Sequence, residues 1–183
     1  MNNQDYRTNT AKTESVPSEI VVKQKQLKFL LDGITILTEA LDVMKKQMFY
    51  SREPKNPLFF FDAVEQLNFI MNENVASTTT TITDTKTIKL LHSLIGTITE
   101  GGELPVLIQQ LINGDDFDEI NFKEEYGDIL WYIDRGSDAI DTTFEHLMNI
   151  NIKKLSKRYP EGFFSNDKAN DRDLDTEYKT MSE

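Results

Sequence analysis

Two carboxylate couplets, Glu100-Gly-Gly-Glu103 and Glu125-Tyr-Gly-Asp128, sit inside apolar runs with helical spacing, and they restrict the fold more than any other feature of the chain. Residues three apart on a helix lie on one side, separated by about 60° of rotation. Each couplet therefore aims two carboxylates in one direction. Like charges placed this way repel by roughly 0.2–0.5 kcal/mol per pair unless a cation lies between them. Two neighbouring helices with one couplet each make the inward carboxylate arrangement of helix-bundle metal sites. The expected class is all-α.

Composition narrows the chemistry. At 183 residues and 38% hydrophobic content the chain is long enough for one domain with a substantial core. No apolar run reaches membrane-spanning length, so no membrane association is expected. The polar stretch 1–18 lacks the apolar core of a secretion signal, which points to a cytoplasmic protein. With no cysteine and two histidines, a bound metal must be held mainly by oxygen, which favours Mg²⁺ and secondarily Mn²⁺. Twenty basic against thirty-one acidic residues give a net charge of -11, which repels a nucleic-acid backbone. A small anion such as a nucleotide stays compatible, because a metal and a few local cations can reverse the field in a pocket.

The periodicity sets out five helices. Residues 1–18 read as a disordered N-terminal tail, polar and poor in apolar residues. Val22, Leu27, Leu30, Leu31, Ile34, Leu37, Leu41 and Met44 or Met48 predict a first helix over about 18–49, and Leu58 to Asn74 a second. The Ser/Thr tract 77–85 suits an extended connector or a short edge strand and is read as a connector, with Asp84 or Thr85 capping the third helix. That helix, over about 86–112, carries the first couplet, and a fourth over about 122–140 the second. Thr142-Thr-Phe-Glu145 matches a capping box, so Thr142 is expected to cap a fifth helix ending near Arg158, before Pro160 and Gly162. The resulting organisation is a tail (1–18), a helical pair with a Thr-rich linker (19–85), a helical core (86–160) and a charged C-terminal tail (161–183).

The third helix contains a local conflict. Gly101 and Gly102 cost about 1 kcal/mol each relative to Ala within a helix, and Pro105 removes the bond its N–H would give to the Gly101 carbonyl. Either the glycines form a hinge between one helix ending at Glu103 and another starting at Pro105, or they permit close approach of a phosphate or a neighbouring helix. The flanking acids favour the second alternative.

On the fifth helix Asn151, Lys154 and Arg158 share one face, and Asn151 continues the apolar row Phe144, Met148, Leu155. Lys and Arg one turn apart suit a phosphate chain, whereas Lys153 and Lys157 need only offset the helix dipole. Trp131 and Tyr132 read as core rather than as a base-stacking platform. His92 and His146 read as structural. Asp134, Asp138 and Asp141, with Arg135 alongside, are expected on a solvated helix face.

The segments Leu90-Leu-His-Ser-Leu94, Glu100-Gly-Gly-Glu-Leu104, Glu124-Glu-Tyr-Gly-Asp-Ile-Leu-Trp-Tyr-Ile133, Asn151-Ile-Lys-Lys-Leu-Ser-Lys-Arg-Tyr-Pro-Glu-Gly-Phe163 and Asn170-Asp-Arg-Asp-Leu174 resemble the MazG-like branch of the all-α nucleoside triphosphate pyrophosphohydrolases. The similarity spans about 89–177 and keeps both halves of the E-x-x-E and E-x-x-D pattern, with 21 residues between Glu103 and Glu125. The resemblance implies a MazG-like helical bundle that splits a nucleoside triphosphate, either a dNTP or a non-canonical NTP, into monophosphate and pyrophosphate. It implies Mg²⁺ held by Glu100, Glu103, Glu125 and Asp128, with Glu100 or Glu103 as base. It places Asn151, Lys154 and Arg158 against phosphates or water at the metal. The two glycines and Pro105, and the acidic loop 115–119, depart from the family's usual regular helices.

The two N-terminal helices lie outside the similarity and carry more apolar surface than one small bundle needs, so a homodimer or homotetramer is expected. A non-enzymatic helical interaction protein that keeps the fold, and an all-α dUTPase-type enzyme, are the competing readings.

Overall fold

The computed structural model describes residues 2–72 and 79–181. In chain order it forms α1 (Asn3–Thr10), β1 (Ile20–Lys23), α2 (Gln24–Tyr50), α3 (Phe59–Met71), β2 (Thr79–Ile82), α4 (Thr85–Gly101), α5 (Leu104–Asn113), α6 (Glu119–Ala139), α7 (Phe144–Arg158), α8 (Asn166–Asn170) and α9 (Leu174–Met181). The protein is predominantly helical, as the periodicity predicts. The connector expected at 77–85 instead contains β2, which pairs with β1 in a two-stranded sheet. Positions 77 and 78 of that tract, and the last two residues expected for the second helix, lie outside the described residues. Among the described residues no helix is long and apolar enough to cross a membrane.

The chain divides into two compact units, Met1–Ile20 with Ile82–Asn149 and Val21–Thr81 with Ile150–Glu183. Neither the single globule nor the boundaries expected at 85 and 160 match this division. Tertiary packing joins the N-terminus to the second half of the chain, a pairing that no local composition signals.

In the first unit α4 and α6 form the main packed pair, with α1 and α5 against α6. Asp84 caps α4 by accepting from the Thr87 N–H at 2.8 Å, and Asp118 caps α6 by accepting from Ile120 and Asn121 at 3.0 Å. Two glycines let the helices approach closely. A Cβ at Gly96 would fall 2.1 Å from the Tyr132 ring, and one at Gly136 would fall 2.2 Å from Ser93 Oγ. Ser93 Oγ donates to the Tyr132 carbonyl at 2.7 Å across this seam.

The tail expected to be disordered is the helix α1. Asn2 and Asp5 close a capping box, and the helix then docks on α6 through polar groups rather than an apolar stripe. Thr10 Oγ1 donates to Asp134 Oδ2 at 2.5 Å, and Arg7 donates to Ser137 Oγ at 2.9 Å and to the Thr142 carbonyl at 2.7 Å. Arg135 pairs with Asp134 at 2.6 Å and reaches Glu14 at 3.4 Å. Asp134 and Arg135 are each only 2% exposed, which corrects their expected place on a solvated face. Burial pushes the Asp134 carboxyl up, but hydrogen bonds from Arg135 and Thr10 outweigh it and hold the group below the ordinary carboxylate range.

In the second unit α2 packs on α3, with α8 also against α2. The C-terminal half of α7 belongs to this unit, and its Arg158 is clamped by the tail. Glu177 on α9 accepts from Arg158 at 2.7 and 2.6 Å and from Arg172 at 2.5 Å. These hydrogen bonds hold the Glu177 carboxyl down at about 2. The α7 cap is Thr143, not the expected Thr142, because it is Thr143 Oγ1 that accepts from the His146 N–H at 3.0 Å.

Candidate metal centre

The third helix expected over 86–112 is two helices that meet at the first couplet. The Gly102 N–H donates to the Ile98 and Thr99 carbonyls at 2.8 and 2.9 Å, and the Glu103 N–H donates to the Glu100 carbonyl at 3.1 Å. This tightened turn ends α4, and Pro105 begins α5 in its first turn, where a missing N–H costs nothing. A Cβ at Gly102 would lie 3.0 Å from the Thr99 carbonyl oxygen, whereas one at Gly101 would meet nothing within 4 Å. The glycines thus stand at the break between α4 and α5, and among the described residues no neighbouring helix presses on them. The break leaves Glu100 on the last turn of α4 and Glu103 at the entry to α5.

Across the packed pair, α6 supplies Glu125. Carboxylate oxygens of Glu100, Glu103 and Glu125 all lie within 4.8 Å of one another. Two oxygens on opposite sides of one Mg²⁺ would stand about 4.1 Å apart at ~2.05 Å each, so small side-chain rotations bring the three into coordination range. Glu125 is 4% exposed, Glu100 half-buried and Glu103 exposed. Asp128, one turn on from Glu125, is exposed and lies outside this closest cluster, though its charge reaches it.

The electrostatics of Glu125 are one-sided. Burial raises its carboxyl above the ordinary glutamate value, and the charges of Glu103, Glu100, Glu124 and Asp128 raise it further. Among the described residues no hydrogen-bond donor or cationic side chain offsets them. A buried carboxylate ringed by like charge is an unfavourable arrangement in a metal-free protein and a favourable one around a divalent cation.

A cavity of about 360 Å³ lies on the α4–α6 pair and reaches Thr99, the residue before Glu100, with none of the four acids in its lining. Its walls include Ile88, His92 and Gly96 from α4, Tyr132 from α6, and Ser15 and Pro17 from the N-terminal segment. Thr99, which also lines it, donates to Glu100 Oε1 at 3.4 Å. Burial raises the Tyr132 hydroxyl above its usual range, and the charges of Glu100 and Asp128 add to that shift. The His92 ring stands edge-on to Trp131 and Tyr132, with centroids 5.7 and 5.5 Å away. Tyr132 and His92 are thus cavity walls as well as packing residues. The helical periodicity alone does not single out Gly96 and Gly136, although glycine inside a strongly periodic helix is itself a signal of close approach.

Asn151, Lys154 and Arg158 belong to the second unit. Asn151 is exposed and Lys154 half-buried, while the Arg158 guanidinium is engaged by Glu177. Compared with protein-family models, with curated proteins and with solved structures, the chain matches none.

Proposed function

We propose that the protein is a Mg²⁺-dependent nucleoside triphosphate pyrophosphohydrolase of MazG-like type, acting on a dNTP or a non-canonical NTP. The observation that carries this reading is the convergence of Glu100, Glu103 and Glu125 across the α4–α6 seam, with Glu125 buried among like charges. Glu100, Glu103, Glu125 and Asp128 would hold the ion, with Mn²⁺ as a substitute. When bound, the ion would supply neutralisation of the triphosphate and acidification of water at the site.

The chain's own residues would do the rest. A water would add to the α-phosphorus as the bond to the bridging oxygen breaks, yielding monophosphate and pyrophosphate. Glu100 or Glu103, the more open carboxylates, would take the proton from that water. The cavity on the α4–α6 pair, lined by Tyr132, His92 and aliphatic side chains such as Ile88, suits the nucleoside, and its size lies in the range of small-molecule sites. We read the protein as cytoplasmic and as a homodimer or homotetramer.

The test is incubation with Mg²⁺ and a panel of ribo- and deoxynucleoside triphosphates, with products separated by ion exchange. Monophosphate plus pyrophosphate is expected. A turnover preference restricted to dUTP would assign the protein to the dUTPase-type variant of the same chemistry. A non-enzymatic interaction protein draws support from the large apolar side chains left open on α2 and α3, and it predicts no turnover.

A further inference from the structure

Helix α2 has 27 residues, and none of them is buried. One of its faces is nonetheless occupied. A Cβ at Gly33 would lie 3.8 Å from Ile70 and 4.0 Å from Leu67, and Ile36, Ala40 and Val43 line a cavity with Phe59 and Ala63 of α3. Positions 33, 36, 40 and 43 therefore face α3. A second apolar row, Leu30, Ile34, Leu37, Leu41, Met44 and Met48, lies elsewhere on the helix with between 37% and 69% of each residue open.

The spacing of this row is 4, 3, 4, 3, 4, which is the a/d alternation of a heptad. It runs for about 27 Å at 1.5 Å per residue. Taking ~150 Å² for a large apolar side chain, the openings leave on the order of 500 Å² of apolar surface along one stripe. That exceeds what scattered surface residues account for and is more than half of the ~800 Å² per partner of a standard interface.

The flanks of the row say what it accepts. On one side they are Gln26, Gly33, Ala40 and Gln47, and on the other Leu31, Thr38 and Lys45, with no carboxylate on either. In a chain of net charge -11 two copies repel through most of their surface, and this stripe is a face from which acids are absent. Asp32, Glu39 and Asp42 lie on other positions of the repeat. A heptad row complements a second heptad row of the same kind, because knobs from one helix fill the holes of the other.

We infer that the Leu30–Met48 row of α2 is the seam through which two copies of this chain associate, α2 against α2, as a two-fold helical pair. The inference is independent of the enzymatic reading. Leu37 and Leu41 are the central pair of the row, so Leu37 meets its own copy in a parallel pair and Leu41 of the other copy in an antiparallel one.

Two measurements on the full chain test it. Light scattering after size exclusion should give at least twice the 21.1 kDa chain mass, and Leu37→Glu should return the mass to that of a single chain with unchanged helix content by circular dichroism. Should Leu37→Glu lose helix content, the deciding variants are Leu37→Cys and the double variant Leu37→Cys with Leu41→Cys, introduced into a chain with no cysteine of its own. Under mild oxidation the first for a parallel pair, or the second for an antiparallel one, should yield a cross-linked dimer in high proportion, whereas Glu39→Cys on another face should not. A monomeric wild-type protein would overturn the inference and leave the row to a different partner. So would an oligomer whose mass survives Leu37→Glu with the fold intact, or cross-linking of Glu39→Cys that equals or exceeds that of both row variants.

Discussion

A carboxylate oxygen of Glu125 on α6 lies within 4.8 Å of one on Glu100 at the end of α4, and among the described residues no positive side chain neutralises either. Glu125 is the buried member of the pair. Burial and its neighbours raise its carboxyl above the ordinary glutamate value, so losing the proton costs more in the native state than in the unfolded chain. A raised folded value makes this group's contribution to stability greatest below its unfolded value and lost as pH rises through the folded value. A divalent cation removes that loss, since it binds the deprotonated form.

Glu125→Gln should therefore raise the melting temperature of the metal-free protein at pH 7 while abolishing the further rise that Mn²⁺ gives the unaltered chain. Mn²⁺ affinity, read by electron paramagnetic resonance, should fall by more than about tenfold, since even groups outside the ligand set of metal sites are worth 10–100-fold. In the unaltered protein that affinity should weaken on acidification at a pH above the ordinary glutamate value. Unchanged Mn²⁺ binding in the variant would mean that the acids do not act together.

Gly96→Ala should destabilise the first unit although alanine favours helix by about 1 kcal/mol. The added Cβ would lie 2.1 Å from a ring carbon of Tyr132, which is held within the α4–α6 seam. Overpacking of this kind costs about 1–3 kcal/mol. Chemical denaturation should show a lower midpoint. Gly101→Ala, where the Cβ would meet open space, should show no such loss.

Asp134→Ala leaves Arg135, itself 2% exposed, with Glu14 as its nearest remaining carboxylate at 3.4 Å. Breaking a buried pair from one side costs about 3–5 kcal/mol. Because Thr10 and Arg7 also bond to Asp134, amide exchange in α1 should accelerate together with that in α6. Protection of α1 that survives the substitution would contradict the role given to this network.

Glu177 supplies an acid-side signature. Its carboxyl is held at about 2 by Arg158 and Arg172, against an ordinary value of 4.5. A depressed value means that the stabilisation is fully present above pH 4.5 and is lost as pH falls towards 2. The stability of the unaltered protein should fall across that window more steeply than that of Glu177→Gln, with the excess slope approaching one proton. Parallel acid titrations of melting temperature for the two proteins check this.

The helical class, several helix ends and the approach of Glu100, Glu103 and Glu125 were legible in the sequence because each has a local cause, whereas α8 and α9 fall where only a charged tail was expected. Apolar residues recur at helical intervals, Asp84 stands where a cap belongs, and i, i+3 carboxylates share a helix face. The N-terminal helix was not legible, because α1 is held by bonds from Arg7 and Thr10 to residues more than 120 positions away, not by an apolar stripe. Asp134 and Arg135 misled for the same reason: charged residues look solvated until their partners are known. The continuous third helix failed at Gly102 and Glu103, where the paired glycines and Pro105 made a local conflict visible and the chain breaks into α4 and α5. Among the site residues, Glu100, Glu103 and Glu125 come together, whereas Asn151, Lys154 and Arg158 lie in a unit that only tertiary packing defines.

The most direct test of the central claim tracks the products formed from α-³²P-labelled nucleoside triphosphates with and without Mg²⁺, for the unaltered chain and for Glu125→Gln. The account predicts that label appears in monophosphate with an equimolar yield of pyrophosphate, only when Mg²⁺ is present, and that the variant with its helix content intact forms neither. Diphosphate plus phosphate as products, no turnover of any triphosphate in the panel, or full activity in Glu125→Gln would contradict it.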